Sequence, residues 1–265
     1  MISKQEQENL RAKYNPEGSA MRVKQMQMFE ILKVVDNLCR NNNIKYWLSS
    51  GTLLGAVRHG GFIPWDDDVD IEMEKTDYVR FEKIMKTELP KHNLVLQTHK
   101  SDWEYFFPFG KVRSLTSDPV DENNSFSCNY KYKGLWVDVF VLEPSNSLFL
   151  TKVAGFLHYR VLNNAAKIPS TCLRRLCCGL IYGLFYYFLF PILAQISKIG
   201  ASNQMRHVLG AAFTRPRISS DFAKVVEIEF EGHKFFAPQN TDAYLRRIFG
   251  DYMKLPKDED RNPHH

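Results

Sequence analysis

The sequence predicts an α+β fold carrying an apolar helical insertion, and three observations predict it. Apolar residues alternate at period two in Val69–Met73 and Gly134–Glu143, the mark of strands with one face in a core. In Met21–Arg40 they recur at helical spacing instead. The stretch Leu176–Ile196 runs 21 residues without a charge, about the length that spans a bilayer. At 265 residues, 44% hydrophobic and 13% aromatic, the chain can bury a sizeable core and is not intrinsically disordered.

The elements follow in order. Met26, Phe29, Leu32 and Val35 form the apolar stripe of the first long helix. Tyr46–Leu48 is a short strand, Ser49–Thr52 a small polar turn, and Leu53–Val57 an apolar helix that Thr52 is placed to cap. After the strand from Val69, Thr76 is positioned to cap a helix running to Leu89, where Pro90 stops it. Leu94–Thr98 and Phe106–Arg113 read as strands, the second with Lys111 and Arg113 on one face. Gly134–Glu143 puts Val137, Val139 and Val141 on one face and Trp136, Asp138 and Phe140 on the other. Val225–Pro238 reads as a hairpin turning at Glu231–Gly232, and Thr241–Phe249 as a helix closed by Gly250. The expected division is an N-terminal extension (1–20), a catalytic core (21–148), an apolar helical insertion (149–221), and a C-terminal hairpin and helix completing the catalytic domain (222–265).

The chemistry is concentrated in FIPWDDDVDIEM, Phe62–Met73, which holds four aspartates in five positions. Residues two apart on a strand share a face, so Asp68 and Asp70 point the same way, about 7 Å apart at the backbone. Two such carboxylates suit magnesium, which takes one or two protein oxygens and fills its shell with phosphate and water. A solvated acidic turn is the plain alternative. Upstream, strand, small polar turn and helix offer backbone N–H groups to a phosphate, with Gly51 permitting close approach and Thr52 offering a hydroxyl. An ordinary strand-to-helix turn reads the same way. Asp138, inside an apolar run, needs a cation: a metal, or a salt bridge to Lys111 or Arg113. Those two cations either hold a nucleotide phosphate or neutralise the carboxylates.

SSGTLLGAVRHGGFIPWDDDVDIEM resembles the signature of the LicD family of phosphocholine transferases, related to fukutin and the fukutin-related protein. DYVRF (Asp77–Phe81), GKVRS (Gly110–Ser114), GLWVDVFVLE (Gly134–Glu143) and YLRRIFGDYMKLP (Tyr244–Pro256) continue the resemblance in the family's order. It implies a nucleotidyltransferase fold of the DNA polymerase beta type, a mixed sheet with flanking helices. It also implies a Mg²⁺-dependent enzyme, with Mn²⁺ a possible substitute, that moves a phospho-alcohol, first of all phosphocholine, from CDP-choline or a related CDP-alcohol. The acceptor is a hydroxyl of a glycan or lipid-linked glycan, such as lipopolysaccharide or teichoic acid, and CMP leaves. Asp68, Asp70 and Asp138 are then the metal-binding and catalytic carboxylates. Gly51, Thr52, Arg58, Asp66, Lys111 and Arg113 are the substrate-binding set. A nucleotidyltransferase releasing pyrophosphate and a non-catalytic membrane-associated nucleotide-binding protein are the competing classes. Nucleic acid is not an expected partner.

The five cysteines show neither a disulfide framework nor zinc spacing, so a reducing compartment is expected. MISKQEQENLRAKYNPEG lacks the apolar centre of a secretory signal. Leu176–Ile196 has four readings: buried helix, spanning helix, re-entrant hairpin broken at Pro191, or in-plane anchor. With Arg174, Arg175 and Lys198 flanking it and a net charge of +5, a peripheral position on the inner face of the membrane is the expected localisation.

Overall fold

The structure is a computed structural model and describes residues 2–120, 122, 127–211 and 213–261. Its strands are β1 (Trp47–Leu48), β2 (Asp70–Glu74), β3 (Leu94–Gln97), β4 (Gly110–Ser114), β5 (Trp136–Pro144), β6 (Gln204–His207), β7 (Arg217–Ile218), β8 (Val225–Phe230) and β9 (His233–Pro238). Among the described residues seven of them form one sheet in the order β1-β2-β5-β4-β3. The pair β2–β5 is parallel, and every other pair is antiparallel. The sheet is therefore mixed, as expected of an α+β chain. One edge of β5 pairs with β2; β4 and then β6 share the other, and β7 extends the sheet from β6.

The helices are α1 (Lys4–Tyr14), α2 (Ala20–Asn41), α3 (Ser50–His59), α4 (Lys75–Glu88), α5 (Leu148–Phe156), α6 (Asn163–Ala166), α7 (Thr171–Gly183), α8 (Phe190–Lys198), α9 (Ser219–Phe222) and α10 (Thr241–Phe249). The apolar stripe of α2 is buried, as its spacing predicts: Leu32 and Val35 join Val69, Ile71, Val137 and Val139 in the main core, with Phe81 and Met85 of α4. Ser19 caps α2 by accepting the Arg22 N–H. Burying one face of β2 and β5 under helices leaves the other face, with Asp70, Asp138 and Phe140, for the site.

Several expected boundaries move. Thr52 does not cap α3; the helix begins earlier, behind Ser49. Thr76 is not a cap either, because α4 starts at Lys75 with Glu74 before it and no side-chain cap bond. Residues 106–109 are irregular, and β4 begins only at Gly110. The β8–β9 hairpin turns at Glu231 and Gly232 as the sequence predicts, both at positive φ (50° and 76°), which matches the twist of the flanking strands.

Within 149–221 the helices α5 to α8 come first; β6 and β7 then return to the sheet before α9 begins. α5 runs through one wide turn (Leu157–Leu162) into α6, and α7 through another (Leu184–Leu189) into α8. The second pair is one continuous helix, Thr171–Lys198. Pro191 sits in the first turn of α8 and does not break it, so the chain makes no re-entrant hairpin there. The wide turn just before Pro191 falls where a ring without an N–H interrupts the helical ladder.

Candidate active site

A cleft of about 1140 Å³ opens on the polar face of the sheet. Ser50, Gly51, Arg58, Asp66, Asp68, Asp70, Lys111 and Asp138 all line it. Strand register supplies the centre. Asp70 pairs with Asp138 across β2–β5, and Asp138 pairs with Lys111 across β5–β4, so the three stand in one row on neighbouring strands. Strands in a sheet lie about 4.8 Å apart, which brings the two carboxylates to one locus.

The turn before α3 approaches the acidic segment closely. A Cβ on Gly51 would lie 2.6 Å from Asp66 Oδ2, so any larger residue there would have to displace the Asp66 carboxylate. Ser50 holds a left-handed φ of 45°, a strained conformation for a non-glycine residue and one common at functional sites. Thr52 Oγ1 accepts the Asp70 N–H at 2.8 Å. Its oxygen therefore fixes the start of β2. Gln25 of α2 donates to the backbone oxygens of Ile63 and Asp66, at 3.3 and 2.8 Å, and so ties the acidic loop to the core.

Burial, then the charges of Asp68 and Asp67, pushes Asp66 well above the usual carboxylate range. Burial, then Asp68, Asp138 and Asp66, does the same to Asp70. Asp138 accepts from Trp136 Nε1 at 2.8 Å and faces Lys111 Nζ at 3.0 Å from Oδ1. Lys111 Nζ donates to Oδ2 at 3.3 Å, and among the described residues the buried Oδ1 makes no directed hydrogen bond. The salt bridge weighed for Asp138 thus exists, with the ammonium beside both carboxylate oxygens.

The oxygen-only donor set fits magnesium. Among the described residues no three His, Cys, Asp or Glu side chains are drawn together as a complete metal cage. Magnesium needs fewer, since it retains waters and takes phosphate oxygens. Asp70 and Asp138, adjacent across β2–β5, would hold it, with Asp68 on the same cleft wall able to join, and the crowding that pushes up Asp66 and Asp70 would be relieved.

Two expected phosphate-binding cations are engaged elsewhere. Arg113 does not line the cleft; it is fully buried and bonds Gln97, Glu122 and the Gly134 oxygen. Arg58 lines the cleft, but its guanidinium donates to Tyr252 O at 2.9 Å and to His59 Nε2 at 2.9 Å. Burial lowers it to about 10. Its role is to pin the C-terminal segment that forms one wall, which includes Tyr252, Lys254 and Lys257. Lys111 contacts Glu122 (3.2 Å) as well as Asp138, so in this state it neutralises carboxylates.

Sequence reasoning missed two features. One is Glu72, fully buried on the face of Asp70 and bonded by Arg217 (2.8 Å), His207 (3.0 Å), Trp47 (3.3 Å) and Tyr244. Burial alone would raise its pKa; Arg217 first, then His207 and Tyr244, outweigh that and hold it below the ordinary range. The strand alternation placed Glu72 correctly, but its partners come from β6, β7 and α10 and have no local signal. The other is an aromatic wall. Phe107, Phe109, Phe140 and Phe213 line the cleft in a chain of ring contacts at 5.4, 4.7 and 4.9 Å. Trp65 lines the cleft as well. Trp47 stacks on Phe222 in the core, and Trp103 is exposed elsewhere.

Residues 43–168 match the family model described as LicD/FKTN/FKRP, nucleotidyltransferase domain. The lipopolysaccharide cholinephosphotransferase LicD of Haemophilus influenzae is 27% identical over 263 residues, covering 92% of this chain and 96% of that protein. The ribitol 5-phosphate transferase FKRP of Mus musculus is 39% identical over 59 residues, 22% of this chain and 12% of that protein. The uncharacterized protein RT0683 of Rickettsia typhi is 48% identical over 62 residues, 23% of this chain and 20% of that protein.

Proposed function

We propose that this protein, in a nucleotidyltransferase-type fold, transfers phosphocholine or a related phospho-alcohol from a CDP-alcohol to a hydroxyl of a cell-surface glycan and releases CMP. The observation that carries the reading is the row Asp70–Asp138–Lys111, facing the Gly51 turn across one cleft. The similarity to two named phospho-alcohol transferases supports it. The aromatic wall supports phosphocholine, because a quaternary ammonium is held against ring faces.

Gly51 lets the backbone approach the diphosphate, and the N-terminus of α3 faces it with unpaired N–H groups. Asp68, Asp70 and Asp138 would hold Mg²⁺, or Mn²⁺ in its place. The bound ion would neutralise the diphosphate and stabilise the attacking and leaving oxygens. Asp70 or Asp138 takes the proton from the acceptor hydroxyl. Lys111, beside Asp138 in the cleft, supplies positive charge next to the departing CMP. On this reading the enzyme works on the cytoplasmic face of a membrane, beside lipid-linked acceptors.

A donor screen tests the reading. With Mg²⁺ and a glycan acceptor, CDP-choline or another CDP-alcohol should yield CMP, and omission of the metal should abolish it. Pyrophosphate from CTP, with no CMP from any CDP-alcohol, would assign the cleft to nucleotidyl transfer instead.

A further inference from the structure

The helix Thr171–Lys198 divides into two faces. One packs on the body: Cys178 and Tyr182 join Tyr105, Phe106 and Tyr130, and Phe185, Phe190 and Ala194 join Ala154 and Leu209. Its end is tied down where Ser197 bonds Ser145 and its carbonyl accepts the Asn146 N–H at 3.0 Å. The other face is bare. Leu176, Leu180, Leu184, Phe188, Ile192 and Ile196 are each at least half exposed, at 51–67%.

These six residues are spaced four apart. In a regular helix each step of four overshoots a full turn by about 40°, so the row would wind round the helix. The wide turn at Leu184–Leu189 lies in the middle of the row and removes part of that drift. The result is an apolar strip along one side, continuing into Ile199 beyond the helix end. Exposed strips of this length mark an interaction surface.

Charge identifies the partner. Between Glu143 and Asp221 the chain holds no acidic residue, whereas nine of its 35 Lys and Arg fall there. Of these, Lys152, Arg160 and Lys167 are exposed, as is Arg175, which pairs with Glu104 at 2.8 Å. Phe149 and Phe156 of α5 add exposed apolar groups, at 73% and 62%. An apolar strip on a cation-rich segment that carries no carboxylate of its own is complementary to an anionic lipid surface, with acyl chains for the strip and headgroups for the cations.

We infer that Thr171–Lys198 docks in the plane of an anionic bilayer, its Leu176–Ile196 strip immersed at headgroup depth while its opposite face stays on the protein. This gives the peripheral localisation of the preceding section a definite surface and orientation. A spanning orientation is incompatible with the packed face, which would have to leave Tyr105, Phe106 and Leu209. A buried-helix reading is incompatible with the exposed strip.

Flotation with vesicles tests the inference and reads binding alone, so its outcome is independent of the transfer chemistry. The protein should bind vesicles of phosphatidylcholine with phosphatidylglycerol at least about tenfold more than phosphatidylcholine alone, as several cations near the surface require. High salt should weaken binding only in part, because salt screens the charges and not the apolar contact. The triple variant Leu180→Asp, Leu184→Asp, Ile192→Asp alters exposed positions only. It should lose binding more than about tenfold, with its circular dichroism and thermal midpoint unchanged. Absence of binding by the parent chain overturns the inference. So does a stable dimer that the same variant dissociates without any effect on vesicles, since the strip would then be covered by a second copy.

Discussion

Asp70→Asn is expected to lower turnover at least about 100-fold at saturating donor, and Asp138→Asn to do the same, because each removes a charge from the locus that stabilises phosphoryl transfer. The two variants should differ in stability. Asp70 is disfavoured in its charged form by burial and by Asp68, Asp138 and Asp66, so a neutral amide relieves repulsion and the thermal midpoint should hold or rise. Asp138 is paired with Lys111 and Trp136, so its loss removes favourable contacts. Lys111 keeps Glu122, and a modest fall in midpoint is expected. Near-normal turnover in either variant would remove that residue from the catalytic set.

Arg217→Met is expected to destabilise the fold by about 3–5 kcal/mol, the usual cost of leaving a buried charge without its partner. Glu72 is fully buried, and Arg217 is its closest cation at 2.8 Å. The double change Glu72→Gln with Arg217→Met should recover part of the loss, since no uncompensated carboxylate remains. The urea midpoints of the parent and three variants complete the cycle. A single-variant loss under about 1 kcal/mol would show that His207, Trp47 and Tyr244 satisfy Glu72 alone.

Local patterns made much of this molecule legible. Alternation in Val69–Met73 and Gly134–Glu143 identified both central strands and put Asp70 and Asp138 on their polar faces. The crowding of Asp66, Asp67, Asp68 and Asp70 located the acidic side of the cleft, and Gly51 its opposite side. What stayed hidden depends on residues far apart in the chain. Arg58 and Arg113 looked like phosphate ligands because a sequence shows charge but not the carbonyls and carboxylates that meet it. Arg58 is spent on a segment 194 residues later. The ring chain from Phe107 to Phe213 joins an irregular stretch, a strand and a loop, with no common period. Leu176–Ile196 was ambiguous because hydropathy alone does not separate a face that packs on protein from one that is bare.

The central claim is that the acceptor attacks the phosphorus bearing the alcohol, and an isotope placed there tests it most directly. CDP-choline labelled with ³²P at the choline-side phosphate should transfer its label to the glycan acceptor and leave CMP unlabelled, in a reaction that requires Mg²⁺ and is lost in Asp70→Asn. Label appearing in free phosphocholine, with nucleotide attached to the acceptor, would mean attack at the other phosphorus and would contradict the account.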